Sequence, residues 1–379
     1  MWLVGRGVIN LSQRFLIAPL LLSIIGIIAF MRAQLSSPST TTYGAGIIPL
    51  MICALPLFLR RKDVTIDAER LYKFLVFIFA LAAGFHLIWQ LLSFALPVDT
   101  ISFEGSFTFV FLLVVSGFAK QRLVFMATLM GILLSLFLRP SSTLLFCTIF
   151  ALVSVLGYWC RLYGIVRRAM SGVIIAVLAG NIAIFADADF ADYIYSFEPA
   201  VKQSILKSQD NNDFRLGVIA ALRDETASNS IIFGKFFTGG IDADVSDYLP
   251  WWHAGGDDFA PIHSDFIGLL SQGGLAGYLI LSLLFIGLAR LCMASARFSR
   301  KHAEQKLFDA VLVMESIFMI YISFNPIIQK AYFAALFFFL IPACVLTARG
   351  IPRRASYSAG LHKNLQRMPT WEAKWISRS

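Results

Sequence analysis

His263-Ser264-Asp265-Phe266-Ile267-Gly268-Leu269-Leu270-Ser271-Gln272-Gly273-Gly274-Leu275-Ala276-Gly277 runs on without a break into Tyr278-Leu279-Ile280. Three polar residues open the stretch, and small and apolar residues carry it forward. It reads as the seam where a polar loop meets a helix long enough to cross a bilayer. A histidine at such a seam is half wet and half shielded. His263 can hold a hydroxyl there, or take its proton. The plainer alternative is a histidine that only starts a helix.

Outward from the seam, the chain has the composition of a membrane protein. Of its 379 residues 58% are hydrophobic and 15% charged, and mean hydropathy is +0.73. Soluble domains lie near 45–50% apolar. Apolar runs of spanning length fall at 15–31, 43–59, 71–96, 101–119, 123–138, 143–160, 169–186, 266–291, 307–324 and 331–348. The expected fold is therefore an all-α polytopic membrane protein of about ten transmembrane helices with one long extracytoplasmic loop. Residues 1–186 carry seven spans, 187–265 the loop, 266–348 three more spans, and 349–379 a basic tail. The apolar run after the N-terminus lacks a small-residue cleavage site and reads as a retained first helix.

Charge orients this layout. With a cytoplasmic N-terminus, the inside connections and both ends hold 24 of the 32 Lys and Arg. The short outside connections hold three: Arg32, Arg139 and Lys330. Positive residues concentrate on the cytoplasmic face, so both termini are expected there, in a multi-pass protein of the plasma membrane. The loop has 14 Asp or Glu against five Lys or Arg. The net charge of +9 thus reflects topology and anionic lipid headgroups rather than nucleic acid. The five cysteines all lie in apolar runs, and their spacing matches neither a disulfide framework nor a metal site.

Within the loop, 197–206 and 212–223 fit short amphipathic helices, the second behind an Asp210–Asp213 cap cluster. Arg215 and Arg223 lie eight apart and project to roughly one side of that helix. Each can pair with a neighbouring Asp, for instance Asp213 or Asp224. Alternatively their planar forks can grip diphosphate oxygens. Tyr248, Trp251 and Trp252 precede His253. They suit a membrane-edge belt or a flat platform for sugar faces. Asp265 can orient His263 or cap the helix behind it. Gly273 and Gly277 form a Gly-xxx-Gly pair, which packs helices closely in lipid and would hold His263 rigidly. Asp242-Ala243-Asp244 has a metal-binding form that an acidic loop also produces by chance. His86, Glu104 and Glu315 lie in or near spans, where ionisable groups are functional candidates or interhelix hydrogen-bond partners. Motifs for nucleotide binding or a serine nucleophile do not occur.

The stretch Phe214-Arg215-Leu216-Gly217-Val218-Ile219-Ala220-Ala221 resembles the Arg-led helix in the large periplasmic loop of the O-antigen ligase and polymerase family. Ser230-Ile231-Ile232-Phe233-Gly234 resembles the segment that follows it there, and His263-Ser264 stands where the family usually has His-Asn. Ten residues separate Arg223 from Gly234, a spacing described for the polymerases. The sequence departs from the pattern at Ile219, Ser264, Gln272, Phe236 and Phe237, and those departures bear on substrate subtype.

The resemblance implies a GT-C-like, inverting and metal-independent glycosyltransferase of the bacterial inner membrane, working without a cofactor. Its donor would be a polyprenyl-diphosphate-linked glycan. Arg215, with Arg223, would steady the leaving diphosphate, and His263 would position or deprotonate the acceptor hydroxyl. Asp265, Tyr248, Trp251 and Trp252 would contact the substrate. An O-antigen or exopolysaccharide polymerase is favoured, working beside a flippase and a chain-length regulator. The alternatives are a ligase to lipid A-core and, from another class, a transporter or flippase.

Overall fold

A computed structural model of the chain describes residues 9–11, 64–66, 68–95, 107–138, 141–197, 209–234, 243–248, 259–260, 264–299 and 302–324. The described residues are almost all helical. In chain order the helices are α1 (Ala68–Ala95), α2 (Phe107–Ala119), α3 (Arg122–Leu138), α4 (Ser142–Trp159), α5 (Tyr163–Ala186), α6 (Ala188–Phe197), α7 (Gln209–Asn229), α8 (Asp265–Phe298) and α9 (His302–Phe324). Two short antiparallel ladders add to the all-helical expectation. Strand β1 (Ile9–Leu11) pairs with β2 (Val64–Ile66), Ile9 opposite Ile66. Strand β3 (Ala243–Asp244) pairs with β4 (Phe259–Ala260) inside the loop.

Three described helices, Ala68–Leu92, Tyr163–Ala186 and His302–Phe324, are long and apolar enough to cross a membrane. At 23 residues the last is about 34 Å long, against a hydrocarbon core of about 30 Å. Shorter apolar helices are Phe107–Ala119, Arg122–Leu138 and Thr143–Trp159. The expected spans at 15–31, 43–59 and 331–348 lie outside the described residues.

Burial separates the inside of the bundle from its wall. Helix α9 carries no Gly or Pro and is buried on every side from Leu307 to Ser323. It packs against α8, α5, α4, α2 and α1 and forms the centre. Helix α2 is buried from Phe107 to Phe118. The surrounding helices turn large apolar side chains outward: Phe77, Leu81, Phe85 and Ile88 on α1, and Met126, Met130, Leu133 and Phe137 on α3. Such stripes are too extensive for a water-facing surface, and they are what acyl chains require.

Two connections are tight enough to force unusual backbone. Lys120 (φ 59°) links α2 to α3 and Arg161 (φ 63°) links α4 to α5. The left-handed region costs a non-glycine residue about 1–2 kcal/mol. A glycine would suit these turns better locally, yet at a membrane edge a cation also anchors the hairpin end.

Hydrogen bonds link the helices across the bundle. Tyr72 Oη donates to the Val115 carbonyl at 2.6 Å, and Trp159 Nε1 donates to the Gly117 carbonyl at 2.8 Å. Ser135 Oγ donates to Gln90 Oε1 at 2.8 Å. Asn181 Nδ2 donates to Ser323 Oγ at 2.9 Å, and Tyr278 Oη donates to the Leu178 carbonyl at 2.7 Å. The strongest link is ionic. Arg167 on α5 grips Asp309 on α9 with two parallel bonds, Nε to Oδ1 at 2.6 Å and Nη2 to Oδ2 at 2.8 Å, both residues buried.

Candidate functional site

The loop helix α7 is longer than the expected 212–223. It runs from Gln209 to Asn229, so the Asp210–Asp213 cluster forms its first turn instead of preceding it. The expected 197–206 helix lies, apart from Phe197, outside the described residues; a helix not expected from the sequence, α6, occupies Ala188–Phe197. Helix α7 is held by a second apolar cluster. Phe214, Val218, Ile219, Ala221 and Leu222 pack with Ile184, Ala191, Val245 and Ile267. The residues that resemble the family's Arg-led helix are thus the apolar face that seats it on the bundle.

Arg215 is half-buried near the start of α7. Arg223 lies two turns on and has a defined task. Its Nε donates to the Phe185 carbonyl at 2.7 Å, and Nη2 reaches the Ile184 carbonyl at 3.5 Å. These carbonyls end α5, where a helix has unpaired acceptors and favours positive charge. Arg223 therefore ties the loop helix to the end of α5. Its neighbour Asp224 accepts a hydrogen bond from the Tyr248 hydroxyl. That bond, with some shielding from water and the nearby charges of Asp224 and Asp247, pushes the Tyr248 hydroxyl up to about 12. In the Asp-x-Asp motif, Asp244 Oδ1 accepts from Ser246 N at 3.1 Å and from Ser246 Oγ at 2.7 Å, the bonding of a local turn.

The start of α8 is capped by Ser264, whose Oγ accepts from Ile267 N at 3.3 Å. The capping role open to Asp265 thus belongs to Ser264, and Asp265 is the first helical residue, where an acid suits the helix dipole. The side chain of Asp265, and all of His263, Trp251, Trp252 and Asp242, lie outside the described residues.

Helix α8 is broken, which the sequence reading did not anticipate. Gly274 has φ 58° and ψ −165°. The turn Ser230–Gly234 fills the gap: Leu275 N donates to the Ile231 carbonyl at 3.0 Å and Ala276 N to the Ile232 carbonyl at 2.9 Å. The amides exposed by the break are satisfied by carbonyls 44 positions upstream, Ile231 for Leu275 and Ile232 for Ala276. A Cβ on Gly274 would lie 2.4 Å from the Ile232 oxygen and 2.6 Å from Gly234 N. Gly274, which lies between Gly273 and Gly277 in sequence, thus makes a close approach of its own. Two positive-φ glycines, Gly234 and Gly274, meet at this contact.

Of the intramembrane candidates, His86 is buried with its ring edge-on to Phe109 at 6.1 Å. Glu315 is wholly buried on α9, and among the described residues neither carboxyl oxygen has a hydrogen-bond partner. Glu104 lies outside the described residues. Asp309, overlooked in the sequence, is the partner of Arg167.

The arrangement is a loop helix, a capped helix start and a plugged helix break, gathered at one end of a bundle. Comparison with protein families, with curated proteins and with solved structures finds no match for this chain.

Proposed function

We propose that this chain is a membrane glycosyltransferase that polymerises lipid-linked oligosaccharide repeats, as an O-antigen or exopolysaccharide polymerase does. In this reading it spans the bacterial inner membrane about ten times, with both termini cytoplasmic and the 187–265 loop outside. The observation that carries the reading is the docking of the Ser230–Gly234 turn into the break of α8, next to α7. Arg-led helix, Gly-ended turn and the helix behind His263 are one packed unit, although they span more than 60 positions of sequence. That is the order of features on which the family resemblance rests.

The chemistry is a displacement at the anomeric carbon. The bond from that carbon to the diphosphate oxygen breaks, and a bond to the acceptor hydroxyl oxygen forms. The hydroxyl proton passes to His263, and the electron pair leaves on the diphosphate. Arg215 is the group assigned to that developing charge. Arg223 has its Nε committed to Phe185, so its part is chiefly to position the helix that carries Arg215. Asp265 serves to orient His263, and Tyr248, Trp251 and Trp252 face the sugar. Partners are the polyprenyl-diphosphate glycan, a flippase that delivers it and a chain-length regulator. A ligase differs only in its acceptor, a lipid A-core.

A transporter is the second reading, favoured by the broken α8 and the buried Glu315, since transporters use discontinuous helices and intramembrane acids. Against it, the two amides opened by the break are already bound to Ile231 and Ile232. The test is a His263→Ala strain, with glycolipids extracted after treatment with an impermeant oxidant. A general base is worth ~10²–10⁴-fold in rate. The unextended repeat should accumulate on the outer face, and Arg215→Lys should fail nearly as badly as Arg215→Ala. Accumulation on the cytoplasmic face, or unchanged polymer, would overturn the proposal.

A further inference from the structure

The loop expected to lie in water contains three consecutive apolar side chains that point outward. Ile231, Ile232 and Phe233 are 60%, 58% and 52% exposed. They sit on the turn that plugs α8. Beside them, on the same α8 whose amides bind this turn, Leu275, Leu279 and Leu283 are 37%, 54% and 68% exposed. Spaced four apart, those leucines form one stripe down the helix. The turn therefore continues the outward apolar face of α8 upward from the break.

The backbone of the turn is equally telling. A segment placed in hydrocarbon must satisfy its amides and carbonyls within the protein. Here Gly234 N donates to the Ser230 carbonyl at 2.7 Å, and Phe233 N donates to Ser230 Oγ at 3.2 Å. The Ile231 and Ile232 carbonyls accept from Leu275 and Ala276. Five backbone groups of a five-residue turn are thus paired without water, while its side chains are apolar and exposed. A water-facing turn has the opposite design, with polar side chains and a solvated backbone. Upstream of the break, Phe266, Ile267, Leu269, Leu270 and Ser271 are buried in protein, so among the described side chains of this part of α8 there is no lipid-facing stripe.

We infer that the Ile231-Ile232-Phe233 turn is seated in the outer leaflet, with the acyl chains of the bilayer as its partner. The lipid-facing part of α8 then begins at Leu275 instead of at Asp265, and the loop re-enters the membrane at this point. The inference does not rest on the proposed reaction. It places a membrane anchor on the segment between the Arg-bearing helix α7 and the seam at His263, which fixes the height of both above the bilayer.

The experiment uses the full-length chain in nanodiscs of synthetic phosphatidylethanolamine and phosphatidylglycerol. A nitroxide is attached at Ile232→Cys after the native cysteines are replaced by alanine, with Leu279→Cys and Ser228→Cys as lipid and water references. Collisions with oxygen should exceed those with a water-soluble nickel chelate at position 232, as at 279 and opposite to 228. Nickel access like that at 228 would overturn the inference. So would exclusion of both reagents, which would mean that protein covers the turn. Should the cysteine-free chain not fold, a photoreactive benzoylphenylalanine in place of Ile232 in the otherwise unaltered chain gives the same decision. Phospholipid adducts are expected. Adducts confined to protein, or no adduct, would overturn the inference.

Discussion

The two ends of the bundle are held by different physics. Where α5 and α9 begin, a buried guanidinium and a buried carboxylate lock helix to helix through side chains, Arg167 on Asp309. Tyr72 and Trp159 tie α1 and α4 to the carbonyls of α2 nearby in the layout. Where α5 and α9 finish, the Asn181–Ser323 bond is joined by ties through the backbone of a loop: turn carbonyls on the amides of α8, and Arg223 on the carbonyls of α5. The first end is closed by groups whose separation is costly. The second is assembled from elements that each need the others, and it gathers Arg215, Tyr248 and the α8 start. Under the proposed function, the end locked by side chains lies away from the chemistry and the end tied by the loop meets the substrate.

The most severe way to break that comparison is at the ion pair. Removing one partner strands a charge in the bundle and costs about 3–5 kcal/mol, whereas replacing both by apolar groups of similar size is near neutral. Asp309→Ala should therefore lower the unfolding midpoint sharply in detergent or bicelles. The double change Arg167→Met with Asp309→Leu should recover most of the loss. Equal losses in single and double variants would show that the pair is more than a clamp, with a task that hydrophobic packing cannot replace.

Gly274 tests the other end. Alanine there meets a left-handed backbone, costing about 1–2 kcal/mol, and its Cβ would lie 2.4 Å from the Ile232 oxygen. Backbone must move on one side or the other, so Gly274→Ala should destabilise by about 2 kcal/mol or more and loosen the turn. The control is Gly172→Ala on α5, where a Cβ meets nothing within 4 Å and the change should be neutral or stabilising by about 0.5–1 kcal/mol. Unfolding midpoints and protease sensitivity near residue 230 report both. A harmless Gly274→Ala would mean that turn and break are not coupled.

What the sequence made legible follows from the range of each interaction. The described helices lie within a few residues of the apolar runs at 71–96, 123–138, 143–160 and 307–324, because hydropathy is a local sum and lipid rewards it directly. The break in α8 was not legible. Four glycines, Gly268, Gly273, Gly274 and Gly277, look alike locally, and the one that adopts positive φ is chosen by carbonyls of the distant turn. Arg167 read as one of many cytoplasmic-side cations, since its partner lies 142 positions away. An aspartate inside an apolar run was the signal, and Asp309 carried it. In the loop, the 212–223 stretch was legible as a helix, but the bonds of Arg223 to the end of α5 were not, because those carbonyls lie 38 and 39 positions away. The Ser264 cap was equally open, because serine and aspartate compete for that position with similar preference.

The smallest effect sharpens the comparison at Tyr248, the polar link across the loop. Its hydroxyl donates to Asp224, and that bond, together with partial burial and the charges of Asp224 and Asp247, raises its ionisation to about 12. A free tyrosine ionises near ~10. The folded chain therefore holds this proton more tightly than the unfolded chain. The resulting stabilisation is fully present below about pH 10, fades between about 10 and 12, and is gone above. The pair is partly in water, so its size is about 1 kcal/mol or less. Other groups titrate in the same range, so the informative quantity is the difference between wild type and Tyr248→Phe. Wild type should lose its small advantage between pH 10 and 12, and identical curves would break the link. The same variant divides two roles for the ring. Phenylalanine keeps a flat apolar face, so a sugar platform survives the change and polymer assembly at neutral pH stays near normal. A large loss of assembly with an unchanged unfolding midpoint would instead assign the hydroxyl to the substrate, and would make the loop end of the bundle a binding surface in its own right rather than a support for Arg215.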